Sequence, residues 1–183
     1  MSALRLVVDF REVDKSDIPL VGGKGANLGE MAGAGFPVPG GFIVTTNAYK
    51  TFLDQNNLGR QIDEILKMVD SDSPESLQRV SLQIIKLIRK AKVPEELVKE
   101  TISHYKKLGG LLTNALVAVR SSATAEDLPN ASFAGQQATL LNIKGEANLM
   151  EAIRECWASL FLARAIFYRE ENKIPHKDRK SVV

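Results

Sequence analysis

The run Arg120-Ser121-Ser122-Ala123-Thr124-Ala125-Glu126-Asp127, followed by Ser132-Phe133-Ala134-Gly135-Gln136-Gln137, places one permanent cation, several hydroxyls, two carboxylates and a glycine in a single connection. Arginine stays ionised and offers a planar fork that matches two phosphate oxygens. The apolar stretch Ala115 to Val119 leads into it. A buried strand is therefore expected there, delivering Arg120 at its end. Ser121, Ser122 and Thr124 either donate hydroxyls to the same anion or bond the local backbone. Arg120 either grips the anion or pairs with Glu126 or Asp127, and one guanidinium can do both. Gly135 stands at the entrance of a second expected strand, Gln137 to Ile143, where a glycine permits close backbone approach to a ligand or acts as a hinge.

A second segment has related chemistry. Gly22-Gly23-Lys24-Gly25 pairs flexible backbone with a mobile ammonium group. A helix is expected to start near Lys24, and helix N-termini attract anions. The GxxxxGK[ST] spacing of a P-loop is absent, and no GxGxxG follows the first expected strand. Phosphate binding and a plain glycine turn both remain open for this segment alone.

These segments need elements to position them. A short strand is expected over Leu4 to Phe10, a connection over Asp14 to Val21, and a helix over Lys24 to Met31 that Gly33 and Gly35 end. Pro37-Val38-Pro39-Gly40-Gly41 is a turn before a strand at Phe42 to Val44. Thr45 or Thr46 caps a helix over Asn47 to Asn56. The middle third is helical: Leu77, Val80, Ile84, Ile85 and Ile88 recur at helix spacing, and so do Leu97, Val98, Ile102 and Tyr105 after a start at Pro94. Gly109 and Gly110 close it. One long helix is expected from Asn148 to Glu171, with Leu149, Ile153, Trp157, Leu160, Phe161 and Phe167 on its inner face. Lys173 to Lys180 is a polar connector, and Ser181-Val182-Val183 opens a strand-like run that reads as cut short.

Composition limits the alternatives. Of the 183 residues, 44% are apolar and 25% charged, and the net charge is +2. That is ordinary for a globular chain and leaves no nucleic-acid footprint. No apolar run reaches the ~20 residues of a membrane span, and no leader pattern opens the chain; the cytoplasm is the expected location. The lone Cys156 is expected to be a buried, inert thiol. His104 and His176 have no evident partner, and no catalytic triad or metal-ligand spacing stands out.

Together, Gly22 to Met31, Pro37 to Phe42, Arg120 to Asp127 and Ser132 to Gln137 resemble the N-terminal nucleotide-binding domain of the phosphoenolpyruvate synthase and pyruvate phosphate dikinase family; rifampicin phosphotransferases are similar in the same blocks. The resemblance runs from about Val7 to Val183. It implies an α+β chain, helix-rich with a small mixed sheet, the first lobe of an ATP-grasp domain spanning residues 1–183, with a helical insertion over about 58–110. It implies ATP held by Lys24 and Arg120, with Ser121, Ser122, Thr124, Gly135, Gln136 and Thr139 in the nucleotide-binding set. It also implies phosphoryl transfer through a histidine to pyruvate, with Mg2+ held elsewhere; no metal ligand is assigned in this chain. The second lobe, the phosphohistidine segment and the pyruvate-binding barrel are absent here. The chain alone is therefore expected to lack dikinase activity and to bind ATP weakly. Two other readings stay open: the ATP lobe of an antibiotic phosphotransferase, and a stand-alone nucleotide-binding module.

Overall fold

A computed structural model describes residues 4–109, 114–123, 138–174 and 181–183, without the side chains of 122, 123, 181 and 182. The architecture is α+β and helix-rich, as expected, but among the described residues the strands form three two-stranded antiparallel pairs and not a small mixed sheet. β1 (Val7–Asp9) pairs with β2 (Phe42–Val44), Val7 opposite Val44. β3 (Leu116–Arg120) pairs with β5 (Thr139–Lys144), and β4 (Ser122–Ala123) pairs with β6 (Ser181–Val182). Backbone bonds knit these pieces together. The Val44 N–H donates to the Val183 oxygen at 2.7 Å and the Val183 N–H returns to the Val44 oxygen at 3.0 Å. Val183 follows β6, and β4 follows β3 after one residue, so β2 is linked through the C-terminal strand to the strand that bears Arg120.

β1 and β2 are apolar at successive positions because both faces are covered. Val8 and Ile43 join Val13, Val21 and Ala26 in a small core, whereas Val7 and Val44 belong to the main one. The main core is built around Trp157, which stacks on Phe52 with ring centroids 4.6 Å apart and tilts against Tyr49 at 5.7 Å.

α1 (Ile18–Gly33) begins earlier than expected, with Pro19 in its first turn, where the missing N–H does no harm. Its helical geometry breaks once, at Gly22 (φ 67°, ψ 168°), a conformation essentially restricted to glycine. The anticipated glycine stop is present. Gly35 (φ 81°) donates to the Ala32 oxygen and Phe36 to the Met31 oxygen, which satisfies the last carbonyls. α2 (Thr46–Gln55) starts from Thr45, whose hydroxyl accepts from the Ala48 N–H. α3 (Leu58–Leu66), α4 (Pro74–Lys90) and α5 (Glu95–Gly109) follow the apolar periodicity and pack into the same main core.

The single long helix is not formed. α6 (Glu146–Ser159) and α7 (Ala163–Glu171) are separated by a turn. The Ser159 hydroxyl donates to the Cys156 oxygen at 2.6 Å, competing with the helical ladder. Buried Arg169 donates to the Leu160 oxygen at 2.7 Å and lies over the Phe161 ring, so the freed carbonyl is capped from α7. The turn re-aims α7. Phe167 is consequently 42% exposed instead of sharing the inner face with Trp157 and Phe161. α4 packs on α6, and there Arg89 grips Glu155 with two bonds of 2.6 and 2.7 Å.

Candidate functional site

β3 does not run buried along its length. Leu116 is 65% exposed, and only Val119 (5%) is buried in the strand. The ribbon packs against α6, and along β3 Val117 and Val119 are more buried than Leu116, Ala118 and Arg120. Arg120 is the last residue of β3 and is exposed, at the strand end as expected.

The partner of Arg120 is Thr139. They sit directly opposite in the antiparallel ladder, with Val119 opposite Leu140. Directly paired side chains share a face, so the guanidinium and the Thr139 hydroxyl stand side by side on the exposed face. Ser121 alternates to the other face: its N–H donates to the Ala138 oxygen at 3.0 Å. Its side chain is 1% exposed, and the Oγ finds no hydrogen-bond partner among the described residues. Ser122 enters β4 through its backbone. Thr124, Gly135 and Gln136 lie outside the described residues, as do Glu126, Asp127, Gly110 and His176.

The ribbon is held from its far end by Tyr105 of α5. The buried phenol donates to the Ala115 oxygen at 2.6 Å and accepts from the Gly145 N–H at 2.8 Å. One of these groups precedes β3 and the other follows β5, so a single side chain ties both strand ends to α5. The helical spacing at Tyr105 marks it as a core residue; nothing in the spacing reveals the two strand ends its hydroxyl joins.

Lys24 is the exposed member of its segment, whereas Gly22, Gly23 and Gly25 are buried. Gly25 is a packing residue: a Cβ there would stand 2.9 Å from Ile43 Cδ1 and 3.1 Å from Val21 Cβ. α1 itself packs against β4 and β6, and so borders the strand that continues from Arg120. A cavity of about 430 Å³ opens beside β3. Phe10, the 38–42 turn, residues 116–120 and Val183 contribute to its walls, and Arg120 is the one charged residue among the described residues lining it. A mostly apolar trough with a guanidinium at its rim can seat an anionic group against a low-dielectric wall, where a charge-assisted bond is strengthened.

Other titratable groups have structural settings. Cys156 is fully buried, and desolvation pushes its thiol up to about 12, with Glu155 adding to the shift. That matches the inert thiol expected from sequence. His104 does have a partner: Nδ1 lies 3.0 Å from Asp9 Oδ1, and its ring sits 5.7 Å from that of Phe42. Their separation of 95 positions hid this pair from a reading by spacing. Among the described residues no cluster of three or more His, Cys, Asp or Glu could hold a metal ion, and no helix is long and apolar enough to cross a membrane.

The family model described as pyruvate phosphate dikinase, AMP/ATP-binding domain, matches residues 18–183. A probable phosphoenolpyruvate synthase of Methanothermobacter thermautotrophicus is 48% identical over 175 residues, covering 94% of this chain and 26% of its own length. Phosphoenolpyruvate synthases of Aquifex aeolicus and Aeropyrum pernix are 48% and 45% identical, over 93% and 94% of this chain and 21% and 22% of their own lengths. The chain thus spans about a quarter of the length of these curated relatives.

Proposed function

Since the chain belongs to the pyruvate phosphate dikinase AMP/ATP-binding domain family, we propose that it forms the first lobe of an ATP-grasp nucleotide-binding domain, and that it works within a phosphoenolpyruvate synthase. The reaction would convert pyruvate, ATP and water to phosphoenolpyruvate, AMP and phosphate by way of a phosphohistidine outside this chain. The names of the relatives favour this over an antibiotic phosphotransferase.

The observation that carries the site reading is the Arg120–Thr139 pair, two exposed polar side chains fixed on one face at the end of a ribbon. Arg120 would grip phosphate oxygens through its fork, Thr139 would donate its hydroxyl beside it, and Lys24 would add a point charge from α1. Ser122, Thr124, Gly135 and Gln136 complete the proposed set, with the glycine letting backbone close over the phosphates. Ser121 faces inward, which suits it to support the strand end. Bound ATP supplies the phosphoryl group, and the transfer needs fixed cations where negative charge spreads. The magnesium expected of the longer enzyme does not fit the residues described, which offer no acidic cluster.

In a protein of the relatives' length carrying this domain, Arg120→Ala should slow phosphoryl transfer by roughly 100-fold or more, a loss of about 3 kcal/mol of transition-state stabilisation. Arg120→Lys should recover little, because a point charge cannot replace the fork. Turnover at the wild-type rate in Arg120→Ala would refute the assignment.

A further inference from the structure

The β3–β5 ladder changes register midway. Leu116 faces Lys144 and Val117 faces Ile143, but Val119 faces Leu140 and Arg120 faces Thr139. Ala118 therefore stands opposite two residues, Leu141 and Asn142. This is a β-bulge on β5, and Asn142 sits in the left-handed region at φ 60°. Both bulge residues are exposed, and alternation resumes on either side, so that Leu140 and Ile143 both turn inward.

The bulge determines which side chain accompanies Arg120. With the ladder anchored at Leu116–Lys144 and no extra residue, Arg120 would pair with Leu140. An apolar side chain would then flank the guanidinium, and Thr139 would turn toward the inner face, because a one-residue slip exchanges the faces. The extra residue moves Leu140 inward and brings Thr139 out beside the cation. The left-handed conformation at its centre is tolerated by asparagine and glycine and is costly for β-branched residues.

We infer that Asn142 is a positioning residue for the phosphate-binding edge: through its left-handed bulge it sets Thr139 opposite Arg120. The inference rests on the reading of Arg120 as a phosphate contact. It deepens that reading by naming a residue that touches no ligand yet decides the pairing.

The test uses nuclear magnetic resonance on this chain, with cross-strand Overhauser contacts reporting register, and an ATP titration of a protein of the relatives' length carrying this domain, reporting binding. Asn142→Gly should keep the 120–139 contacts and bind as wild type, since glycine adopts the same conformation freely. Asn142→Val should lose those contacts in favour of 120–140 contacts and bind ATP about tenfold more weakly. Where Asn142→Val does not fold, Asn142→Ala, with a smaller penalty, should show the same redistribution in part. Retention of the 120–139 contacts in both the Val and Ala variants overturns the inference, and so does a lost register with unchanged ATP binding. Failure of the phosphate reading has a different signature: Arg120→Ala would then bind ATP as wild type while its 120–139 backbone contacts persist.

Discussion

Removing the Tyr105 hydroxyl should loosen the ribbon that carries Arg120 without opening a cavity. In Tyr105→Phe the ring stays in its 1% exposed site, and only one oxygen is lost. That oxygen serves two peptide groups, the Ala115 carbonyl at 2.6 Å and the Gly145 N–H at 2.8 Å. An orphaned buried peptide group costs about 1–3 kcal/mol, and water reaches half-buried ones more easily, so the low end applies to each. Ala115 and Gly145 are both half-buried, which places the total near ~2 kcal/mol. For a chain of this size that lowers the melting temperature by about 4–8 °C. With a urea slope of about 2 kcal/mol/M, it moves the midpoint down by roughly 1 M. Urea titration of both proteins measures the loss, and amide exchange at Val117 and Val119 locates it. A change under about 0.5 kcal/mol with unaltered exchange in β3 would show that the phenol does not clamp the ribbon.

The remaining predictions concern packing and protonation. A Cβ at Gly29 would stand 2.2 Å from the Val13 oxygen, a backbone atom that cannot yield, whereas Gly33 has nothing within 4 Å. Gly29→Ala should therefore destabilise by about 3 kcal/mol, and Gly33→Ala should be neutral or gain a few tenths; equal stability of the two variants would contradict the contact. Burial raises the Cys156 thiol to about 12, so the native state keeps a proton that the unfolded chain releases above about 8.5. This contribution is complete below that value and declines as pH rises toward 12. Between pH 8 and 10 the wild type should lose about 2 kcal/mol more than Cys156→Ala in urea titrations, and parallel pH profiles would disprove it.

Local chemistry made the helices and their ends legible. Thr45 as a cap, Pro94 just before α5, and Gly35 past the end of α1 each act within one turn, so a linear reading finds them. The failures are non-local or depend on a competing bond. Apolar spacing from Leu149 to Phe167 is continuous, yet the Ser159 hydroxyl and the cap from Arg169 divide the helix. The apolar composition of β3 suggested a buried strand, but Val119 alone is buried within it. The Asp9–His104 pair and the Tyr105 clamp join residues whose separation carries no sequence signal.

The candidate site follows the same division. The residue types at Arg120 and Lys24 announce anion chemistry, but their placement depends on packing at a distance. β3 belongs to the main core through Val119, while α1 rests on the small core through Val21 and Ala26. The two meet where α1 packs on β4 and β6, while the Val183–Val44 bonds tie β6 to β2 within the main core. A cation on each side of that joint keeps its geometry only while both cores hold their shape. Gly29 lies on the α1 side and Tyr105 on the ribbon side, so substitutions at both should weaken nucleotide binding through independent routes. Sites without shared partners combine additively, whereas a coupling well above about 0.5 kcal/mol would mean that the two cores deform as one.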